Sequence, residues 1–401
     1  MFVLFLVVFI DLIGFGIVIP LLPFFGEHYN ASPDVVTLLM ATYSITQLIS
    51  APILGRMSDR YGRRPILLFS IAGSVITYIW LGFADTLVML FIARAFNGFM
   101  AGNIATAFAY IADVTTPENR AKGMGLIGAA FGLGFIMGPA IGGILAGPDA
   151  ANADFQTPAL CAAGLSFIAL ILAFVKLKES LSEEVRAKIA ELPPRKHWKS
   201  FFETLMRPRL GLLIVLSFLC TFVFAGMETT FAMWTRRAFS WGPEQNGYLF
   251  AFLGIISALI QGGLVGRFAS KWGEGKMVIV GTLGLGLGLG LIPFSTSIPF
   301  LMGATTILAF GFALSTPALN SLISLEASET ERGGVMGASR SASTLSRVIG
   351  PILAGVLFAQ LGRDAPYFFG MVVMFGVAIV AYIKLNGVRA PKTVKPAEAE
   401  S

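Results

Sequence analysis

The sequence predicts an all-α integral membrane protein, with twelve transmembrane helices in two six-helix, pseudo-symmetric bundles. Three observations carry this. Of 401 residues 55% are hydrophobic and only 13% charged, with a mean hydropathy of +0.77, whereas soluble domains carry about 25% charged residues. Twelve apolar runs reach the roughly 20 residues needed to cross a hydrocarbon core about 30 Å thick. Lysine and arginine gather on alternate loops. There is too little polar surface to clothe a water-soluble globule, which argues against a soluble enzyme. Two cysteines, Cys161 and Cys220, form neither a disulfide scaffold nor a zinc pattern.

The runs follow in order. α1 (1–24) has no basic start, is too long for a cleaved leader and holds Asp11 at its middle. α2 (33–54) stops at the polar string GRMSDRYGRR (55–64). α3 (65–84) and α4 (87–112) are parted by a very short junction at Asp85. α5 (122–146) follows the charged TPENRAKGMG (116–125), and α6 (157–175) closes the first set. Residues 176–209 are polar; within them Leu181, Val185, Ile189 and Leu192 recur at helical spacing, and Pro193 and Pro194 end a short interfacial helix. α7 (210–235) and α8 (244–265) lead to GRFASKWGEGK (266–276). α9 (276–294) carries GLGLGLG, a packing surface with no strand before it and so not a dinucleotide loop. A short junction at Ser297 precedes α10 (298–325); α11 (333–361) and α12 (365–384) complete the set. The domains are thus 1–175, a linker at 176–209, 210–384, and a tail at 385–401.

Loops after the even-numbered helices, with the tail, hold 23 of the 29 Lys and Arg; Arg236, Arg237 and Arg363 lie in the alternate loops, and Arg94, Arg340 and Arg347 within helices. The basic side faces the cytoplasm. Both termini are then cytoplasmic, and the net charge of +6 reports topology, not nucleic-acid binding.

The halves repeat at an offset of about 212 residues: Arg120 falls on Arg332, Met124 on Met336, and Gly138-Pro139 on Gly350-Pro351. Parallel repeats with a site between them near the bilayer midplane describe a rocking secondary transporter.

Ionisable residues inside spans are costly and are functional candidates. Asp11 lies roughly 15 Å into α1, either coupling protons, touching substrate or pairing with Arg94. Glu228 on α7, beside Met227, Phe231 and Trp234, either serves a proton or cationic drug, or is wetted by the outer mouth. Arg94 must find an anion or water; Asp11 and an anionic substrate group are the leading partners. Arg340 and Arg347, two turns apart, share a face of α11 with Ser343 and Ser346; Arg340 is the stronger substrate candidate. Gln47, Asn97, Asn103, Gln261 and Asn320 either line a cavity or hydrogen-bond neighbouring helices. In GRMSDRYGRR, Gly55 would allow close helix approach, Gly62 a tight turn, and Asp59 would accept from backbone amides or an arginine. Arg60, Arg63 and Arg64 would hold the inner leaflet. Asp113, Glu118 and Arg120 either extend that charge network or are solvated. Gly128, Gly132 and Gly138 flatten α5 and Pro139 kinks it, either so that it seals against its repeat partner or as ordinary small-residue packing. The histidines, His28 and His197, fall in loops on opposite sides. No metal site is read, no G-x-x-x-x-G-K-[ST] nucleotide loop, and no cofactor.

GRMSDRYGRR, filling a G-x-x-x-D-R-x-G-R-R pattern, resembles the cytoplasmic signature of the major facilitator superfamily. GLGFIMGPAIGG (132–143), which holds Gly132, Gly138, Pro139, Gly142 and Gly143, looks like the signature of that family's drug–proton antiporters. DLIGFGIVIPLLP (11–23), RAFNGFMAGN (94–103) and YIADVTTPENRAKGMG (110–125) resemble the tetracycline-efflux branch. Ser270 stands where the second half would carry the motif acid, and AGMETTFAMW (225–234) has no counterpart there. The resemblance implies that the motif after α2 stabilises the outward-facing state. It also implies a monomeric, proton-coupled exporter of small amphipathic drugs in the bacterial inner membrane, with H+ as coupling ion. Tetracycline is one such drug, carried with or without a divalent cation. A metabolite or nutrient uniporter or symporter is the alternative, and a non-transporting receptor a further one.

Overall fold

The computed structural model describes residues 2–181, 197–328 and 331–386, and their side chains except residues 2, 117–128, 131 and 197–200. The described residues contain helices and no strand. Eleven helices are long and apolar enough to cross a membrane: α1 Val3–His28, α2 Pro33–Tyr61, α3 Arg63–Gly82, α4 Leu87–Val114, α6 Gln156–Lys176, α7 Pro208–Phe239, α8 Pro243–Trp272, α9 Glu274–Phe294, α10 Ile298–Glu326, α11 Arg332–Leu361 and α12 Ala365–Leu385. α5 is Pro117–Ala146, with an apolar stretch at Gly132–Ala146.

Proline opens α2, α5, α7 and α8, where its fixed φ suits the first turn and its missing N–H leaves nothing unsatisfied. Glycine closes the matching positions of both repeats. Gly62 (φ 106) joins α2 to α3 as Gly273 (φ 80) joins α8 to α9, and Gly147 and Gly362 end α5 and α11. These φ values belong to glycine. The largest departures from the sequence reading are here: 55–61 and 266–272, read as loops, are the last turns of α2 and α8. Hydropathy marks where apolar side chains stop, whereas helical hydrogen bonding continues under long polar side chains that reach toward water. Likewise, in the linker a helix spans His197–Leu205, beyond the two prolines; the interfacial helix read from Val185, Ile189 and Leu192 lies outside the described residues. His28 ends the last helical turn of α1 and His197 lies in the linker helix, so neither sits in a loop.

Three spans are interrupted, α1 by a 3-10 turn at Ile19–Leu21, α4 by one at Ala101–Asn103 and α8 by a π turn at Ile260–Leu264. Such breaks free backbone groups that must be satisfied inside the protein; in α4, Gln47 Nε2 donates to the Ala101 carbonyl at 3.3 Å.

Packing repeats with the sequence. α1 rests on α5 and α6 as α7 rests on α11 and α12, and α3 rests on α4 and α6 as α9 rests on α10 and α12. The two sets of six meet through α5 with α8 and α2 with α11. α5 therefore seals against α8, not against its repeat equivalent α11. Gly143 lies on Gly247 and Pro243, Gly254 on Ile136, and Gly355 on Thr37 and Asp34. Gly143 and Gly355 are equivalent positions of the two repeats.

All these contacts lie toward the face opposite the start of α1 and the end of α12. There too Arg236 Nη1 of α7 donates to Glu27 Oε2 of α1 at 2.6 Å, and Arg237 lies 3.5 Å from the same carboxylate. Toward the terminus-bearing face, a side chain at Gly132, Gly262, Gly263, Gly266, Gly334 or Gly337 would meet open space, and Val265–Trp272 buries no residue. Among the described residues, the close glycine contacts that join the halves lie toward one face, and the glycines named toward the other meet open space.

Candidate functional site

The charged groups of the midspan lie on α1, α4, α7 and α11, around Tyr43 of α2 and Tyr78 of α3. Asp11 on α1 lies within electrostatic reach of Tyr43 on α2 and Tyr78 on α3, as does Arg94 on α4; Arg347 of α11 reaches Tyr43 from the other half. Asp11 Oδ1 is buried without a hydrogen-bond partner. Arg94, 3% exposed, sets its guanidinium over the Tyr43 ring at 4.6 Å, and its Nε is buried with no acceptor. Asp11 is thus not its ion-pair partner; the tyrosine π face takes that place. One turn along, Asn97 Nδ2 donates to Thr77 Oγ1 at 3.0 Å, and Gly98 lets α4 press on Tyr43 and Thr46. Asn103 is buried at the 3-10 turn. Gln47 and Asn97 therefore join helices within the bundle.

Within the second half, Glu228 accepts from Arg347 Nη1 at 3.2 Å, its side chain 10% exposed. Arg347, ranked below Arg340 on sequence, is the residue that holds the second acid. Arg340 lies instead over the ring of Phe108 on α4, 3.7 Å from its centroid. Phe231 and Trp234 belong to the core of the second half: each is 1% exposed, and Trp234 Nε1 donates to Asp364 Oδ1 at 2.7 Å. Gln261 and Asn320 are exposed.

The motif after α2 forms a separate polar knot. Arg63, 6% exposed, donates from Nη1 to Asp59 Oδ1 at 2.5 Å and to Ser58 Oγ at 2.8 Å, and from Nε to Asp113 Oδ2 at 3.1 Å. It is a buried bridge and not a leaflet anchor. Ser180 Oγ also donates to Asp113, at 2.9 Å. Glu179 accepts from the backbone N–H of Arg63 (2.9 Å) and Arg64 (3.1 Å), placing an anion on the first turn of α3, where unpaired N–H groups favour one. Arg64 donates to the Phe174 carbonyl at 2.7 Å and Arg60 stands over Tyr61. Gly55, expected to permit close approach, faces open space, as does Gly132. Gly134, Gly138 and Gly142 instead seat α5 on Leu12, Gly16 and Ile17 of α1. Glu118, Arg120 and Gly128 lie outside the described side chains. We expect Arg63→Ala to leave Asp113 uncompensated and to cost about 3 kcal/mol, read as a lower melting temperature of the purified protein, with Arg63→Lys recovering part of the loss.

Sequence reasoning missed Tyr43, Phe108, Glu27, Arg236 and Glu179 as participants. An aromatic ring in an apolar span and a glutamate in a polar linker carry no periodic mark, and the Glu27–Arg236 pair is 209 residues apart.

Two pseudo-equivalent six-helix bundles, each holding ionisable side chains at mid-span, define a membrane transporter, not an enzyme. A family model described as Major Facilitator Superfamily matches residues 4–273 and 232–401; the chain belongs to that superfamily and is a multi-pass membrane protein. It is 30% identical over 379 residues to the class B tetracycline resistance protein of Escherichia coli, covering 94% of this chain and 92% of that one. It is 28% identical over 391 residues to multidrug resistance protein 2 of Bacillus subtilis (strain 168), covering 96% and 95%. Among solved structures, the human organic anion transporter MFSD10 (TETRAN) superposes with a TM-score of 0.72 at 26% identity, covering 94% of this chain and 98% of that one.

Proposed function

We propose that the protein is a proton-coupled exporter of small amphipathic drugs, tetracycline-like compounds among them, working by alternating access as a monomer. The names of the relatives support drug export. The observation that carries the coupling is Asp11, a mid-span carboxylate with a buried, unpartnered oxygen beside Tyr43 and within reach of the Arg94 environment. A proton there is the cheapest way to neutralise a carboxylate in low dielectric, and its release would let the halves exchange orientation. Glu228, already paired with Arg347, is less free to take up a proton. With both termini in the cytoplasm, as the basic loops indicate, the face that carries Glu27–Arg236 would be the outer one. H+ is the only co-substrate this scheme uses.

In everted vesicles energised to an acidic interior, adding tetracycline is expected to release luminal protons, seen as recovery of a quenched pH dye, and expression in an efflux-deficient host is expected to raise tetracycline tolerance. Drug flux unchanged by collapse of the pH gradient would refute antiport.

A further inference from the structure

The midspan charges do not balance. Asp11 and Glu228 face three arginines, Arg94, Arg340 and Arg347, and the pairs that would cancel them are not all made. Glu228 is taken by Arg347. Among the described residues, no carboxylate lies within ion-pair distance of Arg94 or Arg340. Arg94 is 3% exposed with an unsatisfied Nε, and a guanidinium cannot shed its charge. A cation kept in such a place without a counter-charge is expensive unless a ligand supplies one.

Arg340 shows where that ligand enters. It touches Phe108 of the opposite bundle and is exposed there, so it lies on the seam between the halves. It sits eight residues from the start of α11, about 12 Å along the helix. A cation over an aromatic ring is a weak contact of about 1 kcal/mol, easily exchanged for a charge-assisted hydrogen bond to an anion, while Phe108 remains to cover an apolar ring. Deeper in, Tyr43 and Arg94 repeat the same pairing of ring and guanidinium at 4.6 Å.

We infer that the inter-bundle cleft selects amphiphiles bearing an anionic group on an aromatic scaffold, received first by Arg340 with Phe108 and then by the Arg94–Tyr43 pair, and that lipophilic monovalent cations are poor ligands. This names the substrate class of the exporter reading and rests on it only for the direction of transport.

The test uses two probes of one ring and opposite charge, naphthalene-2-sulfonate and 2-naphthyltrimethylammonium, titrated into the purified full-length protein by calorimetry. The sulfonate is expected to bind at least tenfold more tightly than the ammonium. Arg340→Gln should weaken the sulfonate at least tenfold without weakening the ammonium, and Arg340→Lys should recover part of the difference. A preference for the ammonium, binding of neither probe, or an equal loss of both in Arg340→Gln while the variant elutes as wild type would overturn the inference. Should Arg340→Gln misfold, the wild-type preference between the probes still decides. Sulfonate binding that follows Arg340 in a protein with no proton-linked drug flux would sink the exporter reading and leave this one standing; proton-linked flux with an ammonium preference would do the reverse.

Discussion

Asp11→Asn is expected to abolish substrate-driven proton release in everted vesicles and to lower resistance at least about tenfold, the scale of a typical coupling free energy. The amide matches the carboxylate in shape, so the fold should persist, but it can neither bind nor give up a proton. The Tyr43–Arg94 pair, which does not depend on Asp11 for a salt bridge, should survive, and tetracycline binding to the purified variant should stay within a few-fold of wild type. Retained proton release in Asp11→Asn would move the coupling site elsewhere, with Glu228 next in line.

An effect of similar size is expected from Gly143→Leu. A β-carbon there would meet the Pro243 carbonyl oxygen at 2.6 Å and the Gly247 α-carbon at 3.0 Å, both backbone atoms of α8 that cannot rotate aside. Close-packed interfaces answer such an intrusion by separating. The face sealed in this structure could no longer close, and export should fall below about a tenth of wild type, since one of the two orientations the cycle needs is lost. Each bundle keeps its own packing, so yield and monodispersity should be near normal. The same substitution at Gly164 of α6, which faces open space away from the seam between the halves, should be tolerated.

Much of this architecture was legible from residues alone. Length, hydropathy and the lysine and arginine distribution placed the spans, and the glycine of the motif after α2 marked a turn that only a positive φ can make. What escaped was pairing. Asp11 and Arg94 were matched by charge, but charge says nothing about which faces of α1 and α4 oppose each other, and Tyr43 of α2 intervenes. α5 was expected against its own equivalent. A pseudo-twofold brings a helix onto its equivalent only at the axis, and away from it α5 must meet α8 just as α11 meets α2. Arg347 was undervalued because its partner, Glu228, lies 119 residues away and only the folded bundle brings them together.

The two repeats share an outline without sharing stiffness. In the first, Arg63, Asp59, Asp113 and Glu179 splint the end of α2 to α3, α4 and the start of the linker. In the second, Ser270 stands in place of the acid and its hydroxyl merely returns to the Arg267 carbonyl of its own turn, leaving the end of α8 without a buried side chain. The glycine-rich π turn of α8 has no counterpart in the unbroken helix of α2, so a description that averages the halves by symmetry would erase it.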